Sequence, residues 1–402
     1  MTRPVLPVRP RHAAAAVLAV GALVLAGCTN DDGATQAAGD GPQRAAVTAP
    51  GAADPEVTTS VDKLAGPVPV DELLEVSVED GTLRKVVVRG AGPPLAGALT
   101  ADGERWEATD RLEPGERYRI RAVVKGAGGS STFRSAFRTQ ELSLDQQTYP
   151  SIAPLQGETV GVGMPVIVQF DVPVTDRASI ERHLTVTSTP RQAGSWHWVS
   201  DTEVHWRPKR YWEPGTEVTV DADINSVPAG DGIYGQVSRT VSFEIGESVI
   251  SKVDVAAHRM KVFVNGDLAR TMPISAGKPG FITRSGTKVI IEKVRDKVMD
   301  AATLGIAKSD PEYYRLDVEY AMRVTYSGEF LHAAPWSASS QGVANVSHGC
   351  VGMTTENAAW LFGITKRGDV VEVTGSDRKM GLYNGYGDWN ASFEEYAEGS
   401  AL

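Results

Sequence analysis

Two cysteines, Cys28 and Cys350, stand among 402 residues. Cys350 ends the tetrad Ser347-His348-Gly349-Cys350, and His332 lies eighteen residues upstream of it. A thiol with imidazoles nearby in sequence is the equipment of acyl transfer: the thiolate attacks a carbonyl, and the imidazole takes up and returns the proton. A helix is expected shortly after Cys350, with Thr354 as N-cap, Ala358, Leu361, Phe362 and Ile364 on its apolar face, and Gly368 after its C-terminus. A thiol just before a helix would have its thiolate favoured by the dipole and the free N–H groups. Gly349 permits close backbone approach. The N–H groups around Gly349 and Cys350 are oxyanion-hole candidates, where one lost donor costs about 3–4 kcal/mol. His348, two residues before Cys350, would point the same way on an extended segment. His332 would meet the thiol from across a sheet. Spacing alone does not choose between them. The competing reading is a buried structural cysteine with two hydrogen-bonded histidines; zinc is disfavoured because one Cys and two His leave no fourth ligand.

The elements that must hold these residues are β-patterned. Met260, Val262 and Val264 alternate up to Asn265-Gly266, a strong hairpin signal. Further strands are expected at Lys288–Lys293, Ala321–Tyr326, Glu329–His332 and Asp369–Val373. Ahead of them the chain repeats itself. Trp106, Leu112 and Glu113-Pro114-Gly115 recur as Trp206, Trp212 and Glu213-Pro214-Gly215, and the alternation Tyr118, Ile120, Ala122, Val124 recurs as Val218, Val220, Ala222, Ile224. Both recurrences have an offset of 100 residues. Period-two patterning after a Pro-Gly turn, in two such units, points to tandem immunoglobulin-like sandwiches without the Cys…Trp…Cys signature of antibody domains. Trp196, Trp198, Trp206 and Trp212 are expected in cores or interdomain contacts rather than on a carbohydrate-binding surface. His183, His197 and His205 fit no metal-ligand spacing.

At the N-terminus, Arg3, Arg9 and Arg11 precede the small and aliphatic run Ala13–Ala26, too short for a comfortable membrane span and of signal-peptide proportions. It ends in Leu25-Ala26-Gly27-Cys28, which resembles a bacterial lipobox and implies cleavage before Cys28 and lipidation of it. Residues 29–60 have Val47 and Val57 as their only large aliphatics and are expected to be a flexible tether with a reach of ~30 Å. A net charge of −10 argues against a nucleic-acid partner, and two cysteines exclude a disulfide framework or a Cys-rich metal site. The organisation read from the sequence is a signal peptide (1–27), lipidated tether (28–60), two immunoglobulin-like domains (61–145 and 146–249), a catalytic domain (250–375) and a C-terminal tail (376–402), mainly β throughout.

The pattern His332-x14-Ser347-His348-Gly349-Cys350, with Ala334-Pro335-Trp336 after the first histidine, resembles the YkuD-type catalytic domain of L,D-transpeptidases. The resemblance implies a β-rich catalytic domain with a short helix after Cys350, carried by two immunoglobulin-like modules. It implies Cys350 as nucleophile, His332 as general acid/base, His348 and Gly349 as shaping the site, and Tyr314, Ser327, Gly328 and Gly352 as substrate contacts. No cofactor is implied. The implied partners are peptidoglycan stem peptides, carbapenem β-lactams as covalent inhibitors, and the membrane through the lipid on Cys28. That places the enzyme on the outer face of the bacterial plasma membrane. Two positions depart from the family: Gly352 stands where Arg or Asn is usual, and Ala333 where Ser or Gly is common. An L,D-carboxypeptidase, attachment of a protein to the wall, or a non-catalytic wall-binding lipoprotein are the alternatives.

Overall fold

The computed structural model describes residues 54–62, 64 and 66–402, so the segment read as a signal peptide, Cys28 and the tether up to residue 53 lie outside the described residues. Glu56–Thr59, read as tether, is instead a strand of the first sandwich, because it pairs with Glu75–Glu79 and packs Val57 against that core. The first repeat unit is a sandwich. One sheet orders the strands Glu56–Thr59, Glu75–Glu79, Arg105–Ala108 and Gly97–Leu99; the other pairs Gly81–Arg89, Arg117–Gly126 and Gly129–Arg138. The second unit places Gly194–Ser200, Glu203–Pro208, Val166–Phe170 and Pro150–Ala153 in one sheet, and Thr159–Val160, Arg239–Ile245, Glu217–Ala222 and Leu184–Thr189 in the other.

The 100-residue offset is structural. Trp106 and Trp206 are both buried on strands, and Leu112 and Trp212 are both core residues. The N–H of Leu112 donates to the Val70 carbonyl as that of Trp212 does to Val162. Gly115 and Gly215 turn the chain at φ 64° and 78°. The four tryptophans of the second unit are all buried, which removes a carbohydrate-binding face made from them. Ser226 Oγ donates to the Leu112 carbonyl at 2.7 Å and so joins the two sandwiches.

The third region is built on two sheets. A five-stranded sheet orders Asp267–Pro273, Arg259–Val264, Val249–Asp254, Val370–Thr374 and Gly286–Val289. A four-stranded sheet orders Glu292–Asp300, Arg315–Arg323, Phe330–Ala333 and Val351–Met353. Asn265 and Gly266 make the expected hairpin with φ of 49° and 91°. The single run expected at Lys288–Lys293 is two strands, because the chain passes from one sheet to the other at Ile290-Ile291. The helix is Thr355–Ile364, capped by Thr354 Oγ accepting from the Asn357 N–H. It buries Ala358 and Leu361.

The second sandwich and this region share one core: Val289, Val370 and Tyr386 belong to the same buried cluster as Trp206, Trp212 and Val220. Gly161 bonds the Arg367 carbonyl, and a Cβ there would lie 2.2 Å from the Asp369 nitrogen, so only glycine allows the approach. The tail closes the joint. Trp389 Nε1 donates to the Gly163 carbonyl, Arg207 to the carbonyls of Ala391 and Ser392, and Asn390 Nδ2 to that of Thr287. His205 lies buried between Asp388 and Glu203, at 2.8 Å from each. Burial alone would lower its pKa, but the two carboxylates, Asp388 foremost, raise it to about 9. His183 bonds the Ser179 carbonyl and Arg111, and His197 bonds the Tyr396 carbonyl and the Tyr383 hydroxyl.

Candidate active site

The strand Phe330–Ala333 pairs in parallel with Val351–Met353, His332 opposite Gly352 and Leu331 opposite Val351. In this register Cys350 falls on the same face as His332, since side chains two residues apart share a face. Both line one pocket of about 190 Å³, together with His348, Tyr314, Trp336 and Ser275. The geometry therefore brings together the nucleophile and both histidines named from the sequence.

Their environments differ. His332 is buried, and its Nδ1–H donates to the Ala333 carbonyl at 2.7 Å. This fixes the tautomer and leaves Nε2 as the unprotonated ring nitrogen. Burial lowers the pKa of His332, only partly offset by the Ala333 carbonyl, so the ring is neutral at pH 7. The orienting group is a backbone carbonyl, so alanine at 333 serves as well as serine would. His348 is held differently: Nε2 faces Glu312 Oε2 at 2.6 Å, and its ring lies between Phe281 and Tyr314, 4.5 and 4.8 Å away. Lys278 bonds the same Glu312 oxygen at 2.5 Å. These contacts engage His348 in shaping the wall, while His332 keeps a ring nitrogen free to take up the thiol proton.

Cys350 overturns one expectation. It does not sit at a helix N-terminus: the strand Val351–Met353 intervenes, and the helix begins five residues on, at Thr355. The sheet captures the residues after the cysteine because Val351 and Met353 bury their side chains in the core of this region. Without the dipole, burial pushes the thiol up to about 12, opposed by the Phe330 N–H, with Glu329 adding to the rise and Lys288 opposing it. The S–H points at the Gly328 carbonyl, 3.6 Å away. Thiol and imidazole are thus both neutral at rest.

Gly349 adopts φ +119°, open to glycine and strained for other residues. Its N–H donates to Ser347 Oγ at 3.1 Å, so it is engaged and not a free oxyanion donor; its carbonyl accepts from the buried Thr283 hydroxyl at 2.9 Å. Tyr314 lines the pocket, and its hydroxyl is raised to about 12, by burial first and then by the neighbouring Cys350 and Asp300. Gly328 reaches the site through its carbonyl. Ser327 does not join it: its N–H and Oγ are both held by Asn384 of the tail. Gly352 has no side chain to offer, and its N–H and carbonyl are both bonded to Ser275, at 2.8 and 2.9 Å. A Cβ there would lie 2.9 Å from that of Ala334.

Sequence reasoning passed over a group behind the thiol. Glu329 accepts from Lys288 Nζ at 2.5 Å and from Arg284 at 2.7 Å, with Lys288 1% and Glu329 5% exposed at the side chain. The signal was present: Glu329 and Lys288 are opposite charges set inside otherwise apolar strand patterns.

Comparison with known proteins accords with this geometry. The profile of the YkuD L,D-transpeptidase catalytic domain matches residues 248–373, and that of a bacterial Ig domain matches residues 65–228. L,D-transpeptidase 2 of Mycobacterium tuberculosis (strain CDC 1551 / Oshkosh) is 37% identical over 349 residues, covering 86% of this chain and 85% of that protein. The chain belongs to the L,D-transpeptidase family. It is an enzyme with an L,D-transpeptidase catalytic domain behind immunoglobulin-like modules. L,D-transpeptidase 5 of the same species (strain ATCC 25618 / H37Rv) is 34% identical over 355 residues, 85% of this chain and 76% of its own. Among solved structures, the L,D-transpeptidase LdtMt1 in complex with imipenem is 40% identical and superposes with a TM-score of 0.51, covering 57% of this chain and 99% of that one.

Proposed function

We propose that the enzyme forms 3→3 peptidoglycan cross-links by two acyl transfers through Cys350. Cys350 attacks the carbonyl of the diaminopimelate residue at position three of a tetrapeptide stem. His332 Nε2 accepts the thiol proton and passes it to the departing D-alanine amine. The thioester is then taken by the side-chain amine of a second stem, which His332 deprotonates. The observation that carries this reading is the Nδ1–H of His332 on the Ala333 carbonyl, which leaves an unprotonated nitrogen in the pocket shared with the thiol. With both groups neutral at rest, proton transfer accompanies attack instead of preceding it. Splitting one poor displacement into two easier ones suits a thiol, and a thioester is readily aminolysed.

Because a related enzyme is solved with imipenem, carbapenems are proposed to acylate the same sulfur here. A lipid on Cys28, supported by Leu25-Ala26-Gly27-Cys28, would place the catalytic domain in the wall outside the plasma membrane. Incubation with disaccharide-tetrapeptide followed by mass spectrometry tests the reaction: a cross-linked dimer is expected, and its loss in Cys350→Ala and His332→Gln. Tripeptide without dimer would make the enzyme an L,D-carboxypeptidase, and unchanged tetrapeptide would refute the assignment.

A further inference from the structure

Behind the nucleophile lies a buried ion cluster that the transfer mechanism does not use. Glu329 immediately precedes the strand bearing His332, while Lys288 lies on and Arg284 just before the strand Gly286–Val289 of the opposite sheet. Glu329 Oε2 takes Lys288 Nζ, and Oε1 takes both the guanidinium and the N–H of Arg284. The cluster adjoins the nucleophile's turn: a Cβ on Gly349 would stand 3.5 Å from Glu329 Cγ and 3.8 Å from Oε1. Next to Arg284, Thr283 bonds the Gly349 carbonyl. Lys288 and Glu329 are therefore held out of water, with the partly exposed Arg284 beside them, against the residue before Cys350, and charges in such a place act on one another with little screening.

We propose that the Lys288–Glu329–Arg284 cluster tunes the ionisation of Cys350, the cations of Lys288 and Arg284 offsetting a carboxylate that would otherwise make the buried thiol harder still to ionise. All three are positioning residues, acting through the sulfur without touching substrate. The other groups facing that sulfur are His332, His348 and Tyr314, which line the open side of the pocket. None of these is an anion at neutral pH in the resting site: an imidazole ring carries no negative charge there, and burial raises the Tyr314 hydroxyl to about 12. Glu329 is thus the carboxylate against the nucleophile's turn, and Lys288, buried with it, is its most enclosed counter-charge. A carboxylate losing one of two counter-ions in such a site raises a neighbouring thiol. Removing carboxylate and lysine together leaves Arg284 and no anion.

The inference rests on Cys350 being the nucleophile, but its test reads the sulfur directly. The pH dependence of iodoacetamide alkylation, followed by mass on the Cys350 peptide of the full chain, reports thiolate formation whether or not stems are cross-linked. In Lys288→Met the midpoint should rise by about one pH unit, which slows alkylation about tenfold below the midpoint. In Lys288→Met/Glu329→Leu it should return to the wild-type value. Arg284→Gln, nearer the surface, should also raise the midpoint and serves if Lys288→Met does not fold. Unchanged midpoints in the single variants would overturn the proposal. So would a double variant that stays as high as Lys288→Met, since a purely structural tie is not restored by removing both of its ends.

Discussion

Asp388→Asn tests whether the buried charge at the tail joint holds the tail down. In the folded protein His205 donates from both ring nitrogens, to Asp388 and Glu203, and is therefore an imidazolium. Burial lowers its pKa and the carboxylates raise it, for a net rise from 6.5 to about 9. Asp388 moves the other way: burial raises its carboxyl, but His205 and the Tyr396 hydroxyl pull it below its ordinary value. A histidine with a raised folded pKa contributes stability that is complete below its unfolded value near 6.5 and is lost as pH climbs through about 9. The rise amounts to ~3 kcal/mol, most of it owed to Asp388. Asp388→Asn should therefore cost ~2–3 kcal/mol at pH 6, on the order of a 4–10 °C drop in melting temperature for a unit of this size. Thermal unfolding followed by tryptophan fluorescence reads it, because Trp198, Trp206 and Trp212 are all buried. At pH 10 wild-type His205 is neutral and its Nε2 lone pair faces Glu203, so the gap between the two proteins should shrink to less than ~1 kcal/mol. An equal gap at pH 6 and pH 10 would refute the electrostatic account and leave only hydrogen-bond geometry.

Two further outcomes follow from packing. Gly352→Ala places a Cβ 2.9 Å from that of Ala334, two residues past His332, and should cost ~1–3 kcal/mol and slow carbapenem acylation as measured by intact mass. An unchanged rate would show that the His332 strand yields without consequence. Trp212→Ala should cost ~3–5 kcal/mol and Leu112→Ala ~2–5 kcal/mol, but only the first should lower the temperature at which Cys350 stops being acylated, because Trp212 shares a core with Val370 and Leu112 does not.

The architecture was legible where a short pattern carries a backbone requirement. The Asn265-Gly266 turn, the Thr354 cap and the Pro-Gly turns of the repeat are local, and each formed where the residues indicated. So was the pocket's membership: Cys350, His332 and His348 converge as their motif suggests. What escaped were features decided by pairing between distant segments. Three residues, Val351–Met353, are too few to announce a strand, yet their pairing with Phe330–Ala333 removes the helix dipole from the thiol. Ser327 reads as a site residue until Asn384, fifty-seven residues later, claims it. The Glu329–Lys288 pair belongs here too, since the two charges lie forty-one residues apart and meet only across the two sheets.

The shared core also bears on what counts as a part of this protein. The catalytic profile begins at residue 248 and ends at 373, a unit of inheritance. The strands Gly286–Val289 and Val370–Thr374 inside that span press Val289 and Val370 against the interior of the preceding module, and residues 388–392 lock the seam from beyond its end. A fragment cut at those limits would expose the seam as a fresh apolar face and lose its latch. The smallest piece expected to stand by itself runs from the second sandwich through the tail, so a catalytic cassette borrowed by recombination would have to bring its neighbour with it.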